Sequence, residues 1–176
     1  RTALADKNYD LFFPAAKNAI SGLWGLTFLI SQFTTIRSGD RRSSWNLLKD
    51  LTHFDYPFVK SEIWKGENDE AEEEKIKRLH LLLQEHVMTR QLECGKQIGD
   101  SRATFMLLSK DQGLGGEIYE CEIQAMEIID EIVFTDDGPR FDPSITQPKI
   151  DTFITNCDAV LKRIREELER IRAPSE

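Results

Sequence analysis

Residues 149–171 read KIDTFITNCDAVLKRIREELERI. Ile150, Phe153, Ile154, Cys157, Leu161, Ile164, Leu168 and Ile171 recur at steps of three and four, so a helix gathers them into one apolar stripe. The opposite face carries Asp158–Lys162 and Glu166–Arg170, acid-first pairs at i,i+4 in the favourable orientation. Pro148 stands near the start, where a missing N–H costs nothing, and Pro174 follows the end. One long amphipathic helix is therefore expected here.

The same period runs upstream. A second long helix is expected from about Asn68 to Ile98, with Ile76, Leu79, Leu83, Val87, Cys94 and Ile98 on its stripe. Gly95 or Gly99 weakens its end, and Asp100 or Ser101 restarts it through Phe105, Met106, Leu107 and Leu108. Gln112 to Gly116 breaks the chain before a third helix with Ile118, Ile123, Met126, Ile129 and Val133; a loop from Asp136 to Pro143 follows. Near the N-terminus, Pro14 opens a helix through Ile20, Leu23, Trp24, Leu26, Phe28, Leu29, Ile30 and Phe33. Arg37 to Asp40 reads as a bend. Ser43 or Ser44 caps a helix with Trp45, Leu47, Leu48 and Leu51, and Pro57 interrupts it before Phe58, Val59, Ile63 and Trp64. No stretch alternates apolar and polar residues, and no hairpin dipeptide lies between β-branched runs. The fold class is all-α: an antiparallel bundle of four to five helices, one domain over residues 1–176.

Composition bounds the function. At 176 residues the chain can bury a core without a metal or disulfide staple, and its 40% hydrophobic and 31% charged content is globular. A net charge of -8 argues against a nucleic-acid partner, which needs clustered Lys and Arg. Cys94, Cys121 and Cys157 are odd in number and widely spaced, which disfavours a zinc framework or disulfide scaffold. They read as small apolar residues on helix faces, with a Cys94–Cys157 or Cys121–Cys157 bridge as the alternative. The chain begins at Arg1 without Met, which is compatible with removal of a targeting peptide and says nothing of compartment.

Chemistry-bearing patterns are sparse. His80 and His86 are six residues apart, roughly 240° around a helix, and cannot share one metal. Lys77 and Leu83 stand where a di-iron bundle needs Glu, so Glu-x-x-His is missing. These histidines, with His53, read as solvated or hydrogen-bonded imidazoles. Gly113-Leu114-Gly115-Gly116 opens a helix but follows no strand, lacks Lys-Ser/Thr and precedes Glu117, so it reads as a helix-to-helix turn rather than a phosphate loop. Asp136, Asp137 and Asp142 do not fit the EF-hand pattern and at best form a weak cation site. The acidic run Glu67 to Glu74 suits a helix N-terminus. No nucleophile motif is present, and no enzyme activity, catalytic residue, cofactor or metal is expected.

Two features stand out. From Leu11 to Phe33 the chain is apolar on nearly every helix face, with only 15 uninterrupted residues from Ala19 to Phe33. That is too short for a membrane span. It reads as a central helix in which Gly22 and Gly25 allow close approach, or as a helix that meets a membrane surface or a partner protein. The second feature is a basic, aromatic corner, Arg37, Arg41, Arg42, Trp45 and Lys49, in an otherwise acidic chain. Arg beside Trp is enriched at interfaces, so these five are the candidate partner-binding residues; the plain alternative is a helix start neutralised by Asp40 and Asp50.

The stretch SSWNLLKDL at 43–51 resembles the corner between the first and second helices of PsbQ-like extrinsic proteins of photosystem II. IDTFITNCDAVLKRI at 150–164 is similar in placement and spacing to the last helix of that family. The resemblance implies a four-helix bundle of the thylakoid lumen, without enzymatic activity, docked on the oxygen-evolving face and supporting retention of its inorganic ions. The chain departs from the family in its length, an extra helix near Gly116–Phe134 and the lack of a Pro-rich N-terminal arm. The expected function is thus a non-catalytic accessory subunit docking on a larger assembly, with a lipid-binding bundle using residues 11–33 as the alternative.

Overall fold

A computed structural model of the chain describes residues 3–34, 38, 72–135 and 138–173. The expected helices around Trp45 and Phe58 lie outside the described residues, as do the Arg37–Lys49 corner apart from Ser38, His53, Asp136, Asp137 and Pro174. The described residues form four helices, α1 (Ala3–Phe33), α2 (Glu72–Leu108), α3 (Leu114–Asp130) and α4 (Pro143–Arg172), and one hairpin, β1 (Val133–Thr135) with β2 (Gly138–Arg140). The all-α bundle expected from the periodicity is present.

Each helix runs antiparallel to the next. Phe12 of α1 meets Phe105 of α2 edge-to-face at 4.9 Å, whereas Gly22 lies over Cys94 and Ile98. Tyr119 of α3 lies under the guanidinium of Arg102 of α2 at 4.0 Å, and Glu122 reaches Gly95. On α4, Lys149 pairs with Glu131, Asn156 donates to Gln124 and Arg163 pairs with Glu117. One core unites all four helices through Phe12, Leu26, Phe33, Leu83, Phe105, Ile118, Phe153 and Ile164, each nearly inaccessible to water. At about 1.5–3 kcal/mol per buried large apolar side chain, this core is the main favourable term.

The α4 stripe is as read: Ile150, Phe153, Cys157, Leu161 and Ile164 are buried, and Ile154, Leu168 and Ile171 pack against them. Of the α2 stripe, Leu83, Val87, Cys94 and Ile98 are buried; the side chains of Ile76 and Leu79 lie outside the described ones.

Several local expectations are corrected. Pro14 does not open α1, which begins eleven residues earlier, at Ala3, and Pro148 lies inside α4, which starts at Pro143. Both prolines are exposed, and so are Asp10 and Ser144, whose carbonyls lose the N–H partner four residues on. On an exposed face such carbonyls can bond water, which lowers the usual cost of a mid-helix proline. Asp142 is the true start signal of α4: its carboxylate accepts from the Ser144 N–H at 3.0 Å and hydroxyl at 2.7 Å, and Pro143 occupies the first turn. It is a cap rather than part of a cation loop.

α2 runs unbroken through Gly95 and Gly99. Val133 leaves the third helix for the hairpin, whose register pairs it with Arg140, and Gly138 takes φ 107°, a conformation natural only to glycine. Phe134 of the hairpin packs edge-on against Phe33, covering the end of α1, and the Phe141 N–H donates to Ser38 Oγ. On α4, Lys162 faces Glu166 at 4.0 Å and Arg170 binds Glu167, in place of Asp158–Lys162 and Glu166–Arg170. Glu167 wins Arg170 because it is anchored: it also accepts from the Ser109 hydroxyl at 2.9 Å and the Lys110 N–H at 3.2 Å.

Candidate functional site

α1 carries two apolar faces. The packed one is marked by small residues, Ala15, Ala16, Ala19 and Gly22, followed by Leu23, Leu26, Leu29, Ile30 and Phe33, all buried. The other holds Phe13, Trp24 and Phe28. At 100° per residue Trp24 lies about 20° from Phe13, and Phe28 about 40° beyond it, so the three rings share one row. That row faces outward: Trp24 is 57% exposed, Phe13 44% and Phe28 44%. Of the two readings of residues 11–33, a packed central helix or a helix turned to a membrane or partner, the packed one does not extend to Trp24 and Phe28. Leu23 and Ile30 do belong to the core.

Two grooves flank the row. One, lined by Phe13, Ile20, Trp24 and Phe28 with Lys17, Arg90 and Leu168, lies where α1 meets α2 and α4. The other, lined by Trp24, Thr27, Phe28 and Leu161 with Asp158 and Arg165, lies between α1 and α4. Around the rings stand three cations, Lys17, Arg90 and Arg165, and one carboxylate, Asp158, on a chain of net charge -8. Arg90 also binds Glu93 at 2.7 Å. Contiguous exposed aromatic surface edged by charge is the signature of a contact surface, whereas single exposed apolar residues are ordinary. No helix of the described residues is long and apolar enough to cross a membrane.

The remaining candidates resolve into structure. His80 and His86 are buried rather than solvated. Burial, with help from Arg90, pulls the His86 imidazole below its ordinary range against the opposing pull of Glu93. Among the described residues no group of three or more His, Cys, Asp and Glu side chains could hold a metal ion. Gly113 begins α3 with no side-chain cap, and the first turn is met by Glu117, whose carboxylate binds Arg163. Arg163 also grips Asp111 through two donors, at 2.9 and 2.6 Å. These contacts use the start of α3 as a helix-to-helix turn.

All three thiols are free and buried. Cys94 fills the α1–α2 seam against Gly25, and desolvation raises its thiol. Cys121 of α3 and Cys157 of α4 lie on the facing sides of their helices, where Glu117–Arg163 and Gln124–Asn156 join the two. Neither bridge considered from the sequence is formed.

Comparison of the chain with protein-family models, curated proteins and solved structures gives no match. The five candidate residues Arg37, Arg41, Arg42, Trp45 and Lys49 lie outside the described residues. The outward row of α1 was missed because that helix is apolar all round. The available signal was the small-residue run 15, 16, 19 and 22, which marks the face that packs and so identifies the other as the one left over.

Proposed function

We propose that the chain is a non-catalytic accessory subunit that docks on a larger protein assembly through the outward face of α1. The observation that supports this reading is the exposed row Phe13–Trp24–Phe28 between two cation-edged grooves. Large aromatics ringed by charge are the residues that dominate interface energies. The partner surface this face suits is apolar at its centre and acidic at its rim, complementary to Lys17, Arg90 and Arg165. The basic corner Arg37, Arg41, Arg42, Trp45 and Lys49 extends the proposal as a second set of cations beside an aromatic.

In its most specific form the reading places the chain with PsbQ-like proteins on photosystem II in the thylakoid lumen. Its support is the resemblance of residues 43–51 and 150–164, in a chain whose described residues form an all-α bundle. A second reading, a bundle that lies on a lipid surface, draws on the same apolar row.

The deciding experiment compares wild type with Trp24→Glu in an extract of the native source, by size-exclusion chromatography. The wild type is expected to co-migrate with a large assembly and the variant to elute as the isolated chain. Equal elution of the two overturns the proposal. Flotation of the purified chain with anionic vesicles at moderate salt favours the lipid reading instead.

A further inference from the structure

Cys121 and Cys157 sit on the facing sides of α3 and α4, at 2% and 0% exposure, in the stretch where Glu117–Arg163 and Gln124–Asn156 join the two helices. Their surroundings differ. Cys121 lines a surface groove of about 220 Å³ between the two helices, with Glu117, Glu120, Gln124, Asn156 and Arg163 among its other walls. Cys157 is not among the described residues lining that groove and lies instead on the side of Thr27 of α1, whose hydroxyl donates to the Leu23 carbonyl at 2.9 Å. The third thiol, Cys94, lies on the α1–α2 seam against Gly25.

From this arrangement we infer that Cys121 and Cys157 form an oxidisable dithiol that a low-molecular-weight disulfide converts into a bridge between α3 and α4, Cys121 attacking and Cys157 resolving. Of the two thiols it is Cys121 that lines the groove among the described residues, so it meets the oxidant first. Interaction with Cys157 also lowers the Cys121 thiol and raises that of Cys157, which favours the groove-lining sulfur as the attacking one.

The chemistry balances as two exchanges. The Cys121 thiolate attacks one sulfur of the disulfide RSSR, forming Cys121–S–SR and expelling RS⁻, which takes up the proton Cys121 lost. Cys157 then gives up its proton and attacks the Cys121 sulfur, forming the Cys121–Cys157 bond and expelling the second RS⁻, which is protonated in turn. Two thiols are oxidised by two electrons and RSSR is reduced to two RSH. The acids Glu117 and Glu120 stand at the groove, and Arg163 is already bound to Asp111 and Glu117. An uncharged oxidant therefore enters without repulsion.

The inference does not rest on the docking reading. The test treats the folded full chain with excess bis(2-hydroxyethyl) disulfide, removes the reagent, unfolds the chain in guanidinium at acid pH before alkylating the remaining thiols with iodoacetamide on return to mildly alkaline pH, and maps the digest by mass spectrometry. The expected product is a Cys121–Cys157 cross-linked peptide with Cys94 alkylated, lost on treatment with dithiothreitol. In Cys157→Ser the expected product is a persistent hydroxyethyl adduct on Cys121, and in Cys121→Ser no adduct forms on Cys157. Alkylation of all three cysteines in the treated wild type, a bridge that includes Cys94, or an adduct on Cys157 in Cys121→Ser overturns the inference.

Discussion

The space above Gly25 is occupied by the thiol of Cys94: a methyl group there would lie 2.5 Å from Sγ. One turn away, a methyl on Gly22 would meet the Cys94 carbonyl oxygen at 2.9 Å and Ile98 at 2.8 Å. These glycines set how closely α1 and α2 approach. Alanine favours a helix interior by about 1 kcal/mol, but overpacking costs about 1–3 kcal/mol, and a backbone carbonyl cannot swing aside. Gly22→Ala should therefore destabilise by about 1 kcal/mol or more in chemical denaturation. Gly99, with nothing within 4 Å of its missing Cβ, should instead gain up to about 1 kcal/mol as alanine. Equal effects at the two positions would contradict this seam.

The exposure of Trp24 makes a second prediction. A buried aromatic truncated to alanine costs about 3–5 kcal/mol, and Phe12, fully buried against Phe105, should follow that rule. Trp24→Ala should cost less than about 1.5 kcal/mol, because over half of its surface already meets water. Thermal melts of the two variants decide it; comparable losses would return Trp24 to the core.

Glu167 should make stability fall with acid. Burial alone raises its carboxyl, but hydrogen bonds from Arg170, the Ser109 hydroxyl and the Lys110 N–H outweigh that and hold it below the usual glutamate range. A depressed folded pKa stabilises above the unfolded value, near 4.3, and that contribution is lost as the pH drops through the folded one. Glu167→Gln should cost about 1.5–3 kcal/mol at neutral pH, the range for hydrogen bonds to a charged group. Its deficit relative to wild type should shrink below about pH 4. A deficit that does not change with pH would refute the anionic clasp.

His86 supplies the corresponding test near neutrality. Its imidazole is held below the ordinary 6.5 by burial and by Arg90, so the unfolded chain binds more protons just below that pH. Stability from the neutral ring is present above 6.5 and drains away as the pH falls below it, by at most about 1.4 kcal/mol per pH unit. Wild type should therefore lose stability more steeply than His86→Leu between about pH 6.5 and 5.5. Parallel slopes would show that His86 titrates like a solvated imidazole.

The sequence was most readable where polarity was divided cleanly. α4 separates Ile150, Phe153, Cys157 and Ile164 from a charged face, and one rotation of the helix satisfies the whole pattern. α1 has no such division, so period alone cannot say whether Trp24 or Leu23 meets the neighbours. Gly95, Gly99, Pro14 and Pro148 misled for a related reason. Local breakers predict helix ends from backbone cost alone, and here packing or water covers that cost. The hairpin is three residues per strand, too short to leave a period. The outward aromatic row and the facing of Cys121 and Cys157 depend on which helices are neighbours, a relation carried by no single segment.

The clasp on Glu167 bears on how the chain is made. Ser109 and its acceptor are 58 positions apart, and Asp111 waits 52 for Arg163. Synthesis runs from the N-terminus, so α2 and α3 emerge with their connecting turn held only by local bonds, such as Ser109 N–H to Phe105 and Leu114 N–H to Asp111, both at 3.1 Å. A nascent chain arrested before α4 carries a paired helix hairpin whose tip is unfastened. Among the described residues, 109–113 are then expected to be open to proteolysis in a ribosome-bound intermediate until α4 arrives.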